Sequence, residues 1–201
     1  MLADGTQAAL FVVEVLTVLA IPGPTNSLLF VSGVSRGFQP SLKLIIAEVG
    51  AYLITLSVLI AALKPLISAH PTMPQLLRVA CSIVLVYVAV KLWQSGGPAV
   101  LDSHPITPRR VFLTTLMNPK NLIFAFGIFP SPTTGFSDLL PYLATFAIIC
   151  TGVASGWIAT GAWFHSRAAD RRRLQWVYRS EACLLGGFAI MLVVSAYYGR
   201  V

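Results

Sequence analysis

Apolar residues follow one another in long runs along the 201-residue chain instead of alternating with polar residues. A helix that crosses a bilayer needs about 20 mostly apolar residues, and the segments between the runs carry the prolines, glycines and charges that end helices. The pattern therefore predicts an all-α integral membrane protein with six transmembrane helices. These spans cover approximately residues 8–34, 42–63, 76–95, 110–130, 139–164 and 182–199.

Composition agrees with this pattern. Hydrophobic residues make up 56% of the chain and charged residues only 10%, whereas a soluble domain carries roughly 25% charged residues. A soluble enzyme, a disordered chain and a disulfide-built secreted domain are therefore excluded. The spans leave almost no room for an extramembrane part, so we expect one transmembrane domain over residues 1–201. The first span begins near Asp4 without a basic leader region, so we expect it to stay in the mature protein.

The net charge of +7 would suggest a nucleic-acid partner in a soluble protein. Here most basic residues lie in the short segments after spans one, three and five, and that distribution sets orientation in the bilayer. We therefore expect no nucleic-acid partner, a lipid bilayer as the surroundings, and both termini outside the cytoplasm. The basic residues on the predicted cytoplasmic side are Arg36, Lys43, Lys91, Arg109, Arg110, Arg167, Arg171, Arg172, Arg173 and Arg179.

Two spans contain helix-breaking residues. Proline lacks a backbone N–H and pushes the preceding residue out of the helical region, so neither span is expected to be one continuous helix. Broken backbone at membrane depth must line a cavity or be buried in protein, because lipid cannot satisfy its polar groups. The residues at the breaks are Pro22, Gly23, Pro24, Thr25 and Asn26 in span one, and Asn118, Pro119, Lys120 and Asn121 in span four.

The two breaks correspond in sequence. Aligning them places Pro24 on Pro119 and Asn26 on Asn121, at an offset of 95 residues. Each break lies in the first span of a three-span half, and an odd number of spans inverts the second half. Broken helices in corresponding positions of inverted halves indicate the substrate site of a transporter near the midplane; two simple proline kinks are the alternative. The predicted inverted repeats cover about 1–97 and 98–201.

The breaks have a defined chemistry. The half-helices that start near Thr25 and Asn121 offer free backbone N–H groups and a positive dipole end, which suit a carboxylate. Unwound carbonyls before each proline suit an ammonium or a coupling cation. We therefore expect the site to favour a zwitterion, with Asn26, Asn118 and Asn121 adding side-chain donors and acceptors.

Three charged side chains fall within the predicted spans, namely Glu14, Glu48 and Lys120. Charges at this depth cost a few kcal/mol and indicate function by default. We predict that Lys120 binds the substrate carboxylate, and that Glu48 or Glu14 carries a proton or binds the amine. A structural ion pair is the alternative, and it is the preferred interpretation for Glu14, which reaches the outer interface.

Other chemistry has no signature in the chain. HExxH, a nucleophile elbow and acidic pairs are absent from the sequence, and no Cys/His ligand spacing is present. We therefore expect no enzyme activity, no cofactor and no metal site.

The segment from Pro22 to Leu29, together with Asn118-Pro119-Lys120, resembles the LysE/RhtB family of amino-acid exporters. The likeness covers nearly the whole chain. It implies a multi-pass protein of the bacterial inner membrane that exports amino acids or close derivatives, driven by the proton motive force. Glu48 departs from the small residues usual along span two of such proteins, so substrate or coupling is expected to differ. The resemblance points to Pro22, Gly23, Pro24, Asn26, Asn118, Pro119 and Lys120.

Alternating access between the two halves is the leading hypothesis, with two others left open. A divalent-cation exporter of a related six-span family would need several oxygen ligands, and Lys120 opposes cation binding. A non-transporting membrane subunit is the third hypothesis. The sequence does not name the substrate, the coupling ion or the oligomeric state, although a homodimer is compatible with so small a transporter.

Overall fold

The computed structural model describes residues 5–63, 106–130 and 136–165, with isolated helical residues between 79 and 93 and between 183 and 194. Residues 1–64 and 105–168 form one compact group, and a second group takes residues 65–104 and 169–201. Each group combines segments from both predicted repeats. Predicted spans three and six lie outside the described residues, apart from the isolated positions.

Within residues 5–63, 106–130 and 136–165 the first group consists of helices joined by short turns and contains no strand, as predicted. Short π-helical turns follow α4 at Leu59–Leu63 and α6 at Phe124–Ile128, and a 3₁₀ turn at Phe136–Leu139 precedes α7. The α-helices are α1 Gly5–Ala20, α2 Pro24–Arg36, α3 Phe38–Ser41, α4 Lys43–Val58, α5 Pro108–Leu116, α6 Lys120–Ile123 and α7 Leu140–His165.

Two described segments, Phe38–Ala61 and Ser137–Phe164, are long and apolar enough to cross a membrane. Two pairs of helices, each bent at a short break, add two further spans if each pair is counted as one span. The axes of α1 and α2 meet at 62°, and those of α5 and α6 with its π-helical turn meet at 50°. Both predicted breaks are therefore present, and the described residues account for up to four of the predicted spans.

The first break follows from its two prolines. The Ile21 N–H still donates to the Thr17 carbonyl at 3.2 Å, and Pro22 then has no N–H with which to continue α1. Gly23 is extended, and α2 starts at Pro24, where a missing N–H has no consequence because the first turn has no intrahelical acceptor. The Ser27 N–H closes this first turn on the Gly23 carbonyl at 2.9 Å.

The second break has a different local structure. Helix α5 begins with a side-chain cap, since Thr107 Oγ1 accepts from the Arg110 N–H at 3.2 Å. It ends at Leu116, and the chain restarts as a helix at Lys120 after Pro119. The Lys120 N–H donates to Asn118 Oδ1 at 3.1 Å, so the asparagine side chain supplies an acceptor that the interrupted helix lacks.

Two glycines let α2 and α7 pack at very close range. A Cβ on Gly33 would overlap the Ile158 carbonyl oxygen, and one on Gly161 would overlap the Phe30 carbonyl oxygen. Small residues at helix crossings allow this approach in membranes, where apolar surface alone does not drive association. The contact fixes α2, and with it the second half of span one, on the long α7 helix.

An aromatic cluster holds α4 against the second break and α7. Tyr52, Phe124 and Phe146 pack edge to face, with ring centroids 4.9 to 5.9 Å apart. Phe129 extends the cluster to Phe11 of α1. Each such pair contributes about 0.5–1.5 kcal/mol beyond its buried area. The cluster therefore buries the Tyr52 ring and fixes its position beside the second break.

Substituting Gly161 by alanine is expected to separate α2 from α7. The new methyl group would meet backbone atoms of α2, which cannot move aside without shifting the helix. We expect a destabilisation of about 1–3 kcal/mol, measured as a lower thermal midpoint in detergent. Gly152→Ala in the same helix is the control, because a Cβ there has nothing within 4 Å. Equal midpoints for the two variants would contradict the close crossing.

Candidate functional site

Most of the predicted site residues meet in one buried polar cluster at the two breaks. The cluster draws side chains from α2, α4, α5 and the second break, and each is at most 4% exposed. A concentration of buried polar groups in so apolar a protein needs internal hydrogen bonds. Its members are Thr25, Asn26, Glu48, Tyr52, Thr115, Asn118, Lys120 and Asn121.

Asn26 and Asn121 hold the two breaks in the same way. The Asn26 amide group donates to the Leu19 and Ile21 carbonyls at 2.8 and 2.9 Å. The Asn121 amide group donates to the Thr115 and Leu116 carbonyls at 2.7 and 3.3 Å. In each case a side chain from the second half-helix donates to carbonyls at the end of the first half-helix, where intrahelical donors run out.

The sequence-based expectation was that the carbonyls before each proline suit an ammonium or a coupling cation. Of these, the Ile21 carbonyl accepts from the Lys120 ammonium of the protein itself as well as from Asn26. The sequence predicted where the helices end, but the bend of the chain determines which donors reach the carbonyls at those ends. Both side-chain donors of Asn26 and of Asn121 are thus engaged within the protein.

The side chain of Lys120 extends from the second break to the first. Its ammonium donates to the Ile21 carbonyl oxygen, and the side chain is 3% exposed. A Cβ built on Gly23 would lie 3.0 Å from Lys120 Cε and 3.1 Å from Nζ. Gly23 therefore leaves the space that the lysine fills. The ammonium also lies at the C-terminal end of α1, where the helix dipole favours a cation.

Asn118 makes the other contacts between the breaks. Its Nδ2 group donates to Thr25 Oγ1 at 3.2 Å and to the Tyr52 hydroxyl at 3.3 Å. The hydroxyl groups of Thr25 and Thr115 are hydrogen-bonded to each other, with their Oγ1 atoms 3.1 Å apart. A single side chain thus connects span one, α4 and the start of α6.

The contacts between the breaks are reciprocal. At the offset of 95 residues, Gly23 corresponds to Asn118 and Thr25 corresponds to Lys120. The Lys120–Gly23 contact and the Thr25–Asn118 hydrogen bond are therefore equivalent pairs with the two halves exchanged. Such reciprocity is what a two-fold relation between two segments produces.

Glu48 is a buried carboxyl group with an unused acceptor. The side chain is 1% exposed, and its Oε2 atom has no hydrogen-bond partner. It interacts electrostatically with Lys120 and with Tyr52. Asn121 Oδ1 is likewise buried without a partner. Buried polar atoms without a partner are rare in native proteins, and a ligand is one established reason for them.

Other candidate residues take different positions. Glu14 lies on the exposed face of α1 and does not join the cluster. Pro22 and Pro24 are half-buried, and Pro119 is buried; all three shape the backbone of the breaks.

Tyr52 and Thr115 belong to the cluster, but sequence analysis missed them. Tyr52 had a detectable signal, because it follows Glu48 by four residues and thus shares its helix face. Thr115 had none, since threonines are common in helices that cross membranes.

No group of three or more His, Cys, Asp or Glu side chains gathers within residues 5–63, 106–130 and 136–165 or at the isolated positions. The cluster contains one carboxyl group, that of Glu48, and one amine group, that of Lys120.

Comparison with known proteins identifies one family. The family model for the LysE type translocator matches residues 16–196, which include both breaks and every member of the polar cluster. No curated protein and no solved structure matches the chain.

Asn26→Ala and Asn121→Ala are expected to destabilise the protein. Asn26→Ala leaves the Leu19 carbonyl without its side-chain donor, and Asn121→Ala does the same to the Leu116 carbonyl, at a cost of about 1–3 kcal/mol per buried group. The measurement is the thermal midpoint of the purified protein in detergent. Thr160→Ala is the control, because its hydroxyl bonds only within α7 and is exposed. An asparagine variant as stable as this control would contradict the capping role.

Proposed function

The chain belongs to the LysE type translocator family, and from this membership we propose that it exports amino acids or close derivatives from the cytoplasm. The family membership and the apolar helices establish a multi-pass membrane protein of a transporter family. Our proposal adds the substrate class, a site at the two breaks and alternating access between two inverted halves. It also places the protein in a bacterial inner membrane, with both termini outside the cytoplasm.

The position of Lys120 is the observation that supports this proposal most strongly. A buried ammonium is unfavourable unless an opposite charge or several hydrogen-bond acceptors compensate it. Lys120 places its ammonium at the Ile21 carbonyl of the first break and interacts electrostatically with Glu48, so a substrate carboxylate that enters the breaks meets this positive charge. The half-helix that starts at Pro24 adds its positive end to the same region. Lys120 is therefore assigned to the substrate carboxylate.

Glu48 is assigned to the substrate amine. Its unpartnered Oε2 accepts hydrogen bonds, and an ammonium donates them. Glu48 and Lys120 interact electrostatically, so a zwitterion bound between them keeps every charge paired. A ligand with only one charge would leave a buried charge uncompensated, at a cost of several kcal/mol. The site is thus suited to molecules that carry both groups.

Alternating access is supported by the reciprocal contacts at the breaks. Two inverted repeats related by a two-fold axis exchange roles when the site turns from one side of the membrane to the other. Equivalent pairs such as Lys120–Gly23 and Thr25–Asn118 are the contacts expected on such an axis. We propose that the proton motive force drives the cycle, in keeping with the family resemblance. A homodimer is compatible with this mechanism.

Replacing the ammonium of Lys120 is expected to abolish export. Lys120→Met keeps most of the side-chain volume and removes the charge, so we expect export to fall at least about 100-fold. Gly23→Ala keeps the lysine but displaces it, and a smaller loss is expected. The assay is mass spectrometry of amino acids in the medium of overproducing cells, with each variant compared at equal amounts in the membrane.

Lys43→Met makes the same change at an exposed lysine and is the control. Uptake of the exported amino acid by everted vesicles, with and without a protonophore, tests the driving force. Wild-type export by Lys120→Met would overturn the site assignment. If the wild-type protein changes no amino acid in the medium, the substrate class is wrong.

Glu48→Gln is expected to weaken selection for a free amine. The variant keeps the shape and loses the charge, so the KM for the exported amino acid should rise at least about tenfold. Competition by the N-acetylated form of the same amino acid provides the specific test. We expect it to compete poorly with transport by the wild type and relatively better in the variant. An unchanged ratio of the two affinities would contradict an amine-binding Glu48.

A further inference from the structure

We propose that Tyr52 and Thr115 are positioning residues, which hold Asn118 and thereby set the place of Lys120 in the site. The two residues act through a set of hydrogen bonds that we call the hydroxyl relay, formed by Thr115, Thr25, Asn118 and Tyr52. The proposal rests on the proposed function, because it assumes that Lys120 binds the substrate.

The donors in the relay can be assigned one by one. Thr115 Oγ1 donates to the Val111 carbonyl at 2.9 Å, and a hydroxyl has only one proton. The hydrogen bond of 3.1 Å between Thr25 and Thr115 must therefore be donated by Thr25. The Thr25 oxygen then accepts the proton that Asn118 Nδ2 offers at 3.2 Å. The relay thus runs in one direction, from Asn118 to the backbone of α5.

The orientation of the Asn118 amide is fixed by the same reasoning. The Lys120 backbone N–H is a donor, so the atom facing it at 3.1 Å must be the amide oxygen. The nitrogen consequently faces Thr25 and Tyr52, and its two protons are both used. If the Asn118 amide were flipped, its NH₂ group would face the Lys120 backbone N–H, and two donors would oppose each other. Asn118 therefore has one favourable orientation, which the two hydroxyl oxygens enforce.

This orientation determines where the helix after the second break begins. The bond from Asn118 Oδ1 holds the backbone of Lys120, the first residue of α6, while the lysine side chain reaches Ile21. If Asn118 loses Thr25 or Tyr52, the start of α6 loses one of the contacts through Asn118 that connect it to span one and to α4. The ammonium would then sample positions away from Gly23.

The three hydroxyl-bearing members of the relay can be altered with little change in packing. Tyr52 is held through its ring by Phe124 and Phe146, so Tyr52→Phe removes only the hydroxyl. Thr→Val at residues 25 and 115 keeps the shape of the side chain, and Thr25→Ser keeps the hydroxyl. Tyr52→Phe and the two Thr→Val substitutions therefore remove hydrogen bonds of the relay while they leave the packing of the core nearly unchanged.

The experiment measures KM and kcat for the exported amino acid in everted vesicles, at equal amounts of protein. We expect Thr115→Val, Tyr52→Phe and Thr25→Val each to raise KM about 3- to 10-fold with a smaller change in kcat. Thr25→Ser should restore the wild-type KM. A general loss of stability would lower the amount of active protein, and therefore kcat, without this pattern.

Double variants test the order of the relay. Thr115 acts only through Thr25, so Thr25→Val with Thr115→Val should have the same KM as Thr25→Val alone. Tyr52 engages the other proton of Asn118, so adding Tyr52→Phe to Thr25→Val should raise KM further. Additive effects of the two threonines, or unchanged KM in the single variants while the wild type exports, would overturn the relay alone. A wild type that exports no amino acid would overturn the proposed function, and the relay with it.

Discussion

The structure depends on how the backbone carbonyls at two helix ends find donors inside an apolar protein. A helix that stops within a membrane leaves carbonyls that lipid cannot satisfy, and here the prolines make stopping unavoidable. Asn26 and Asn121 each reach back from the next half-helix and donate twice. Each bend, of 62° in span one and 50° in span four, is thus accompanied by a side chain that supplies donors to the helix end it creates.

The two breaks correspond in sequence but differ in local structure and in chemistry. Both have an asparagine that donates to the end of the preceding half-helix, yet Lys120 stands where the first break has Thr25, and Asn118 stands where it has Gly23. Only one of the two equivalent positions therefore carries a charge. Under the proposed function, this asymmetry favours one orientation of a ligand with a single carboxylate, whereas two identical breaks would offer it two.

The sequence predicted the breaks well because proline and glycine act locally, so no tertiary information is needed to place them. It predicted contacts less well. Glycines mark close packing, but Gly37 adopts a φ of 82°, and among the glycines that the structure describes only Gly33 and Gly161 closely approach the backbone of another helix. The pattern cannot show which face of a nearly uniform apolar helix turns inward. Nor does it show that Asn26 and Asn121 donate to the backbone at the preceding helix ends, whereas Asn118 donates to two hydroxyl groups. Tyr52 and Thr115 enter the cluster only through tertiary packing.

Under the proposed function, the first break releases its lysine to a substrate without loss of structure. The Ile21 carbonyl accepts from both Lys120 and Asn26, so it keeps one donor when the ammonium turns to a carboxylate. Had the lysine been its only partner, substrate binding would leave a buried carbonyl unsatisfied, at a cost of about 1–3 kcal/mol. The asparagine cap removes that penalty from binding. It follows that the same residue which makes the broken helix stable also leaves Lys120 available for a ligand, and that the two roles cannot be separated at Asn26.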